Sequence, residues 1–133
     1  MSDDSADIRD ANERFYRAFE HLDVDEMEAA WSHGEHVKCV HPGWPLLCGW
    51  PTIRESWQSI FASTAEMRFT IGDVNVVAGD TMACVTCTEN ILAEVQGRIS
   101  VTSILATNVF ERAPQGWRMI LHHASHILGG PAS

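Results

Sequence analysis

The sequence predicts an α+β domain in which a cone-shaped, curved antiparallel sheet wraps around three N-terminal helices. Two observations give the class. Apolar residues in the first half recur at helical spacing between capping and breaking residues, whereas in the second half they alternate at period two. Helices first and strands afterwards is the α+β order, not the interleaved order of a parallel α/β sheet. A third observation gives the curvature its reason. Between Arg98 and Glu111, Ile99, Val101, Leu105 and Val109 share one face, while Ile104, Ala106 and Phe110 share the other with Thr102 and Asn108. In the closing run, Trp117, Met119, Leu121, His123 and Ser125 fall on one face, opposite Arg118, Ile120, His122 and Ala124. Neither face suits water. Three helices cover only the concave side, so the convex side predicts a homodimer.

In chain order, Asp4 or Ser5 caps a first helix with a stripe at Ile8, Ala11, Phe15, Phe19 and Leu22. Asp23 with Glu26 has the form of a capping box for a second helix that turns Val24, Met27, Ala30 and Trp31 inward and ends at His33-Gly34. His36 to His41 alternates as a short strand, broken by Pro42-Gly43-Trp44-Pro45. Pro51, or Thr52 with Glu55, opens a third helix carrying Ile53, Trp57, Ile60 and Phe61. Met67, Phe69 and Ile71 then alternate inward, Val74 and Val76 continue on the other phase, and Gly72-Asp73 marks a bulge between them. A turn at Ala78-Gly79-Asp80, a strand from Thr81 to Leu92, a hairpin near Gln96-Gly97 and a loop at Pro114-Gln115-Gly116 complete the sheet. The tail from Gly129 to Ser133 is expected to fray.

At 133 residues the chain is read as one domain, 1–133. Eighteen acids against nine bases leave a net charge of −9, which argues against a nucleic-acid or anionic-membrane partner. No apolar run reaches the roughly 20 residues that span a bilayer. Met1 to Ser5 lacks the form of a secretory leader, and Cys39, Cys48, Cys84 and Cys87 read as reduced thiols, so a cytoplasmic location is expected. Cys84 and Cys87 have redox spacing, but in a strand they point to opposite faces, and packing is the expected role.

The order of elements, His41-Pro42 followed by Gly49, Ile53 and Trp57, and the ending Gly116-Trp117-Arg118-Met119-Ile120-Leu121-His122-His123-Ala124-Ser125 resemble the nuclear transport factor 2-like superfamily, in its SnoaL-like and ketosteroid-isomerase-like branch. The resemblance covers residues 7 to 127 and implies a cystatin-like α+β barrel, dimeric, with a pocket between the helices and the concave face. It does not carry a reaction, because the superfamily hosts isomerases, cyclases, dehydratases and association domains alike.

Glu89 shares a strand face with Ala83, Val85, Cys87 and Ile91, where desolvation would raise its pKa and suit proton transfer. The plainer reading is a rim carboxylate paired with Arg98 or Arg118. In the related association domain of calcium/calmodulin-dependent protein kinase, the matching position lines the pocket. Asn108, among apolar neighbours, must be hydrogen-bonded to a neighbour or a ligand; by the resemblance it lies near the acid that bonds the enolate oxygen in the isomerases. His41 falls where that branch has its general base, or else it caps a strand end. His122 can face the hollow, while His123 turns toward the dimer contact. Zinc is not expected, since His122 and His123 diverge and no His-x-His or HExxH occurs. Trp31 and Trp57 are read as core, Trp57 also as pocket wall, and Trp44 and Trp50 as an apolar lid over the mouth. The isomerase tyrosine matches Phe15, which cannot donate and is read as lining the ligand pocket, with Tyr16 about 100° around the helix. The absent tyrosine and exchanged acids favour a non-catalytic binder of a small, largely hydrophobic molecule. The alternative is a cofactor-independent isomerase, cyclase or dehydratase with His41 or Glu89 as base and Asn108 and His122 as donors.

Overall fold

The computed structural model describes residues 4–128, so the expectation of a frayed tail at 129–133 and most of the leader reading at 1–5 lie outside it. Helix α1 (Ser5–Glu20) buries Ile8, Ala11, Asn12, Phe15, Tyr16, Ala18 and Phe19, a face wider than the stripe read from the sequence. Asp4 stands at its N-cap without a side-chain cap bond, its carboxylate being held by Arg112 instead. At α2 (Val24–Ala30) Asp23 Oδ1 accepts from the backbone N–H of Asp25 and Glu26, at 2.9 and 3.0 Å. The capping box is only half built, because Glu26 turns to His21 Nδ1. The helix also stops earlier than expected, since Trp31 leaves it to bridge Met119.

Strands β1 (Lys38–Val40) and β2 (Leu47–Cys48) precede α3 (Trp50–Ala62), whose N-cap is Gly49 at φ 86°, a left-handed conformation suited to glycine. Four long strands follow: β3 (Glu66–Ala78), β4 (Met82–Val95), β5 (Arg98–Ala113) and β6 (Gly116–His126). The six form one sheet in the order β2-β1-β6-β5-β4-β3. The expectation of a wholly antiparallel sheet is corrected at one seam: β1 runs parallel to β6, with Cys39 opposite His122. The β4–β5 hairpin turns on Gln96 and Gly97, both at positive φ, the geometry of a tight primed turn.

Two register shifts bend the sheet. The bulge expected at Gly72-Asp73 is present and lets both Ile71 and Val74 face the helices. The second was not foreseen. Val109 pairs with Leu121 and Phe110 with Met119, leaving Ile120 as the extra residue. Trp117 and Met119 therefore point into the core together with His122 and Ala124, where strict alternation had set them on opposite faces. Cys87 is buried and Cys84 half-buried on the other face, and all four cysteines are free thiols. No helix among the described residues is long and apolar enough to cross a membrane.

Candidate functional site

Inward positions of β4, β5 and β6 meet α1 in a single polar cluster set in an apolar surround. Strand pairing sets Asn108 of β5 opposite His122 of β6. Across them α1 lays Asn12 and Tyr16, which are four residues apart and so lie on one helix face. His122 Nδ1 is 2.7 Å from Asn108 Oδ1, an acceptor, so that nitrogen carries the proton. Asn108 Nδ2 donates to Asn12 Oδ1 at 2.9 Å and to the Tyr16 hydroxyl at 3.1 Å. Tyr16 in turn donates to Glu89 Oε2 at 2.5 Å and lies 3.4 Å from the Cys87 sulfur. Donation thus runs in one direction, from His122 through Asn108 and Tyr16 to Glu89.

Glu89 ends the chain with one oxygen to spare: among the described residues its Oε1 takes no hydrogen bond. Glu89 is 1% exposed, and burial pushes its carboxyl pKa up to about 7, with the Tyr16 bond pulling the other way. The alternative of a rim carboxylate on Arg98 or Arg118 is not realised, as Glu89 has no basic partner among the described residues. Burial and the neighbouring Glu89 also hold the Tyr16 hydroxyl well above its ordinary pKa.

His41 lies just past β1. Its Nε2 is 2.9 Å from Ser56 Oγ, and that hydroxyl already donates to the Ile53 carbonyl at 2.6 Å, so the imidazole is the donor. Its ring packs edge-on against Trp44 and Trp57, at centroid distances of 4.8 and 4.7 Å. Burial lowers the pKa of His41 to about 4 and that of His122, which is also disfavoured by His41 and His123, to about 3. Both rings are neutral at neutral pH. Among the described residues no group of three His, Cys, Asp or Glu is arranged to hold a metal.

Three sequence expectations change here. Phe15 does not line an open pocket; it is wholly buried, with its ring 4.8 Å from His122 and 5.7 Å from Trp57. Trp57 is equally buried and edge-on to Phe19 at 4.8 Å, so these three rings fill the hollow. Glu89, Asn108 and His122 do converge, and none has more than 1% of its surface uncovered. Trp50 is not a lid. As the first residue of α3 it is buried, 5.8 Å from the Trp31 ring and stacked on His33 at 5.0 Å. Trp44 stays at the surface, 40% exposed. Tyr16, set aside in favour of Phe15, is the residue that reaches the carboxyl. The usable signal was Asn12, a polar residue one turn before Tyr16 on a helix otherwise packed by rings.

Access is from the side. A groove of about 240 Å³ between α1 and β3 is walled by Asn12, Tyr16, Phe69, Ile71 and Val74, with Arg9 at its rim. Tyr16 bonds Glu89, and Ile71 pairs with Glu89 across β3 and β4. Two walls of the groove are therefore immediate neighbours of the carboxyl.

A model of the SnoaL-like domain family matches residues 8–129. Among solved structures, the chain is similar to a presumed dehydratase of the NTF2-like family from Streptomyces avermitilis, with 36% identity, a TM-score of 0.88, and coverage of 95% of this chain and 97% of that one. It is also similar to a presumed calcium/calmodulin-dependent protein kinase type II association domain from Thiobacillus denitrificans, with 33% identity, a TM-score of 0.78, and coverage of 89% and 93%. In sequence it is similar to the F-box protein SKIP8 of Arabidopsis thaliana, 27% identical over 121 residues. That match takes in 91% of this chain but only 50% of SKIP8, so the chain spans about half the length of this curated relative.

Proposed function

We propose that this chain, which belongs to the SnoaL-like domain family of the nuclear transport factor 2-like superfamily, is a cofactor-independent acid–base enzyme of dehydratase or isomerase type acting on a small, largely hydrophobic carbonyl compound. One observation carries the reading: the carboxyl of Glu89, a residue 1% exposed, is gripped at one oxygen by Tyr16, takes no hydrogen bond at the other among the described residues, and has its pKa pushed up to about 7. Burying a carboxyl with a spare oxygen costs stability and serves no packing need. It does match a base to neutral pH, where about half the molecules carry it ionised and ready. Glu89 Oε1 takes the proton from the carbon beside the substrate carbonyl. The carboxyl then returns it, to another carbon in an isomerisation or to a β-hydroxyl that leaves as water in a dehydration. Tyr16 holds the carboxyl in place and limits the rise in its pKa; Asn108 and His122 hold Tyr16. His41, with a pKa of about 4, is a weak base at neutral pH and positions Trp44 and Trp57 instead. Similarity to a presumed dehydratase supports the class of reaction. The substrate reaches the carboxyl through the α1–β3 groove.

A second reading is a non-catalytic small-molecule binder or dimerisation module in which the same groups satisfy one another; of these two, the filled hollow favours the dimerisation module. Under either reading a second copy covers the convex face, where Val77, Leu92, Ile99, Val101 and Leu105 are exposed.

The test is solvent deuterium incorporation into, and water loss from, a panel of small aromatic and aliphatic ketones and β-hydroxy ketones. Exchange by the native chain that falls by about 10²–10⁴ in Glu89→Gln supports the enzyme. Equal rates in the two proteins, or none across the panel, leave the binder.

A further inference from the structure

We propose a second, separate site: a hollow where α1, α2 and the start of β6 meet, which binds a small molecule carrying at least two oxyanion charges. A cavity of about 380 Å³ there is lined by Arg14 and Arg17 of α1, by Glu26, Ala29 and Ala30 of α2, and by Arg118 of β6. The chain has twice as many acids as bases, 18 against 9. Four of its eight arginines hold a carboxylate among the described residues. Arg54 holds Glu28 at 2.9 Å, Arg68 holds Glu66 at 3.0 Å, Arg17 holds Glu13 at 3.2 Å, and Arg112 holds Asp4.

Arg9, Arg14, Arg98 and Arg118 hold none among the described residues, and of these Arg14 and Arg118 line this hollow together. The two are near enough for the charge of one to disfavour the charge of the other. Arg118 is half-buried, and its guanidinium makes one hydrogen bond among the described residues, Nη1 to its own neighbour's carbonyl at Trp117, at 3.1 Å. Most of its donors are therefore unused. The acid on the cavity wall, Glu26, lies 2.7 Å from Nδ1 of His21, another lining residue, and bonds neither Arg14 nor Arg118 among the described residues. Two guanidinium groups facing one half-buried space repel each other unless an anion bridges them. Their planar forks fit the paired oxygens of a phosphate or a carboxylate. Ala29 and Ala30 leave a flat apolar wall for the body of such a ligand. This site shares Arg17 with the lining of the α1–β3 groove but no residue with the Tyr16–Glu89 chain, and Arg14 and Arg118 lie outside that groove's lining, so their test does not depend on the proposed reaction.

The experiment is isothermal titration calorimetry of the full chain at low salt with two probes, pyrophosphate and citrate. Saturable binding of either probe at one site per chain is expected. Arg14→Gln and Arg118→Gln should each weaken it by about tenfold or more. Arg98→Gln, at the far hairpin, should leave it unchanged, and added salt should weaken it. Pyrophosphate alone binding assigns a phosphate ester as ligand; citrate alone assigns a di- or tricarboxylate. The proposal is overturned if neither probe binds, if Arg14→Gln and Arg118→Gln bind as the native chain does, or if Arg98→Gln weakens binding equally.

Discussion

Replacing Glu89 by glutamine should stabilise the fold, and by an amount that depends on pH. The folded carboxyl titrates near 7 against an ordinary 4.5. The folded state therefore holds its proton more tightly than the unfolded chain. With a raised carboxyl pKa, this contribution to stability is fully present below about pH 4.5. It is lost as pH rises toward 7 and stays lost above that. At about 1.36 kcal/mol for each pH unit of displacement, the loss is about 3 kcal/mol. The glutamine side chain has nearly the same shape, keeps an oxygen for the Tyr16 hydroxyl and never ionises, so the variant does not incur the loss. Urea unfolding of both proteins from pH 4.5 to 8 measures the effect. The expected difference is small at the acid end and grows to about 3 kcal/mol in favour of the variant by pH 8, an increase in Tm of several degrees. The pairwise comparison cancels every other titrating group. A difference that stays flat across the range would refute the claim that Glu89 is held protonated by its burial.

Tyr16→Phe removes the donor that grips Glu89 and the acceptor used by Asn108. It should cost about 1–3 kcal/mol in urea unfolding and move the Glu89 pKa above its native value of about 7, because the Tyr16 bond lowers it. His122 acts with the opposite sign. Its folded pKa of about 3 lies below the ordinary 6.5, so native stability should fall as pH drops below 6.5. In the same unfolding series His122→Asn, which retains a donor, should make that acid limb shallower without removing it, since His41, with a pKa of about 4, contributes to it with the same sign. Val101 is 77% exposed on the convex face, so Val101→Asp should convert a dimer to a monomer in sedimentation velocity. A native chain that sediments as a monomer would remove the second copy.

Period and composition were enough to order the elements of this fold other than β2, because helix and strand spacing are local properties. The two residues of β2, Leu47 and Cys48, are too few to show a period and read as loop. The bulge at Gly72-Asp73 showed in the change of phase from Ile71 to Val74. The bulge at Ile120 did not, because every residue from Trp117 to Ala124 except Arg118 is apolar or histidine, and either phase looks buried. The parallel seam of β1 with β6 was likewise hidden, as pairing direction leaves no mark on a three-residue strand. At the site, Glu89, Asn108 and His122 were legible as polar residues on apolar strand faces. Tyr16 was missed for a physical reason. A helix lying in the hollow of a sheet is contacted on both flanks, so its buried face is wide enough to hold Phe15 and Tyr16 together. Trp50 was misread because a ring next to Pro51 looks like loop, whereas Gly49 starts the helix one residue earlier.

The central claim is that the carboxyl of Glu89, out of water and bonded by Tyr16, changes charge near neutral pH. Carbon-13 NMR of side-chain-labelled glutamate, with the Glu89 resonance identified by its absence in Glu89→Gln, reads that charge directly. A titration midpoint near 7 is the expected result. A midpoint near the ordinary value of 4.5 would contradict it, and the acid–base function would fall with it.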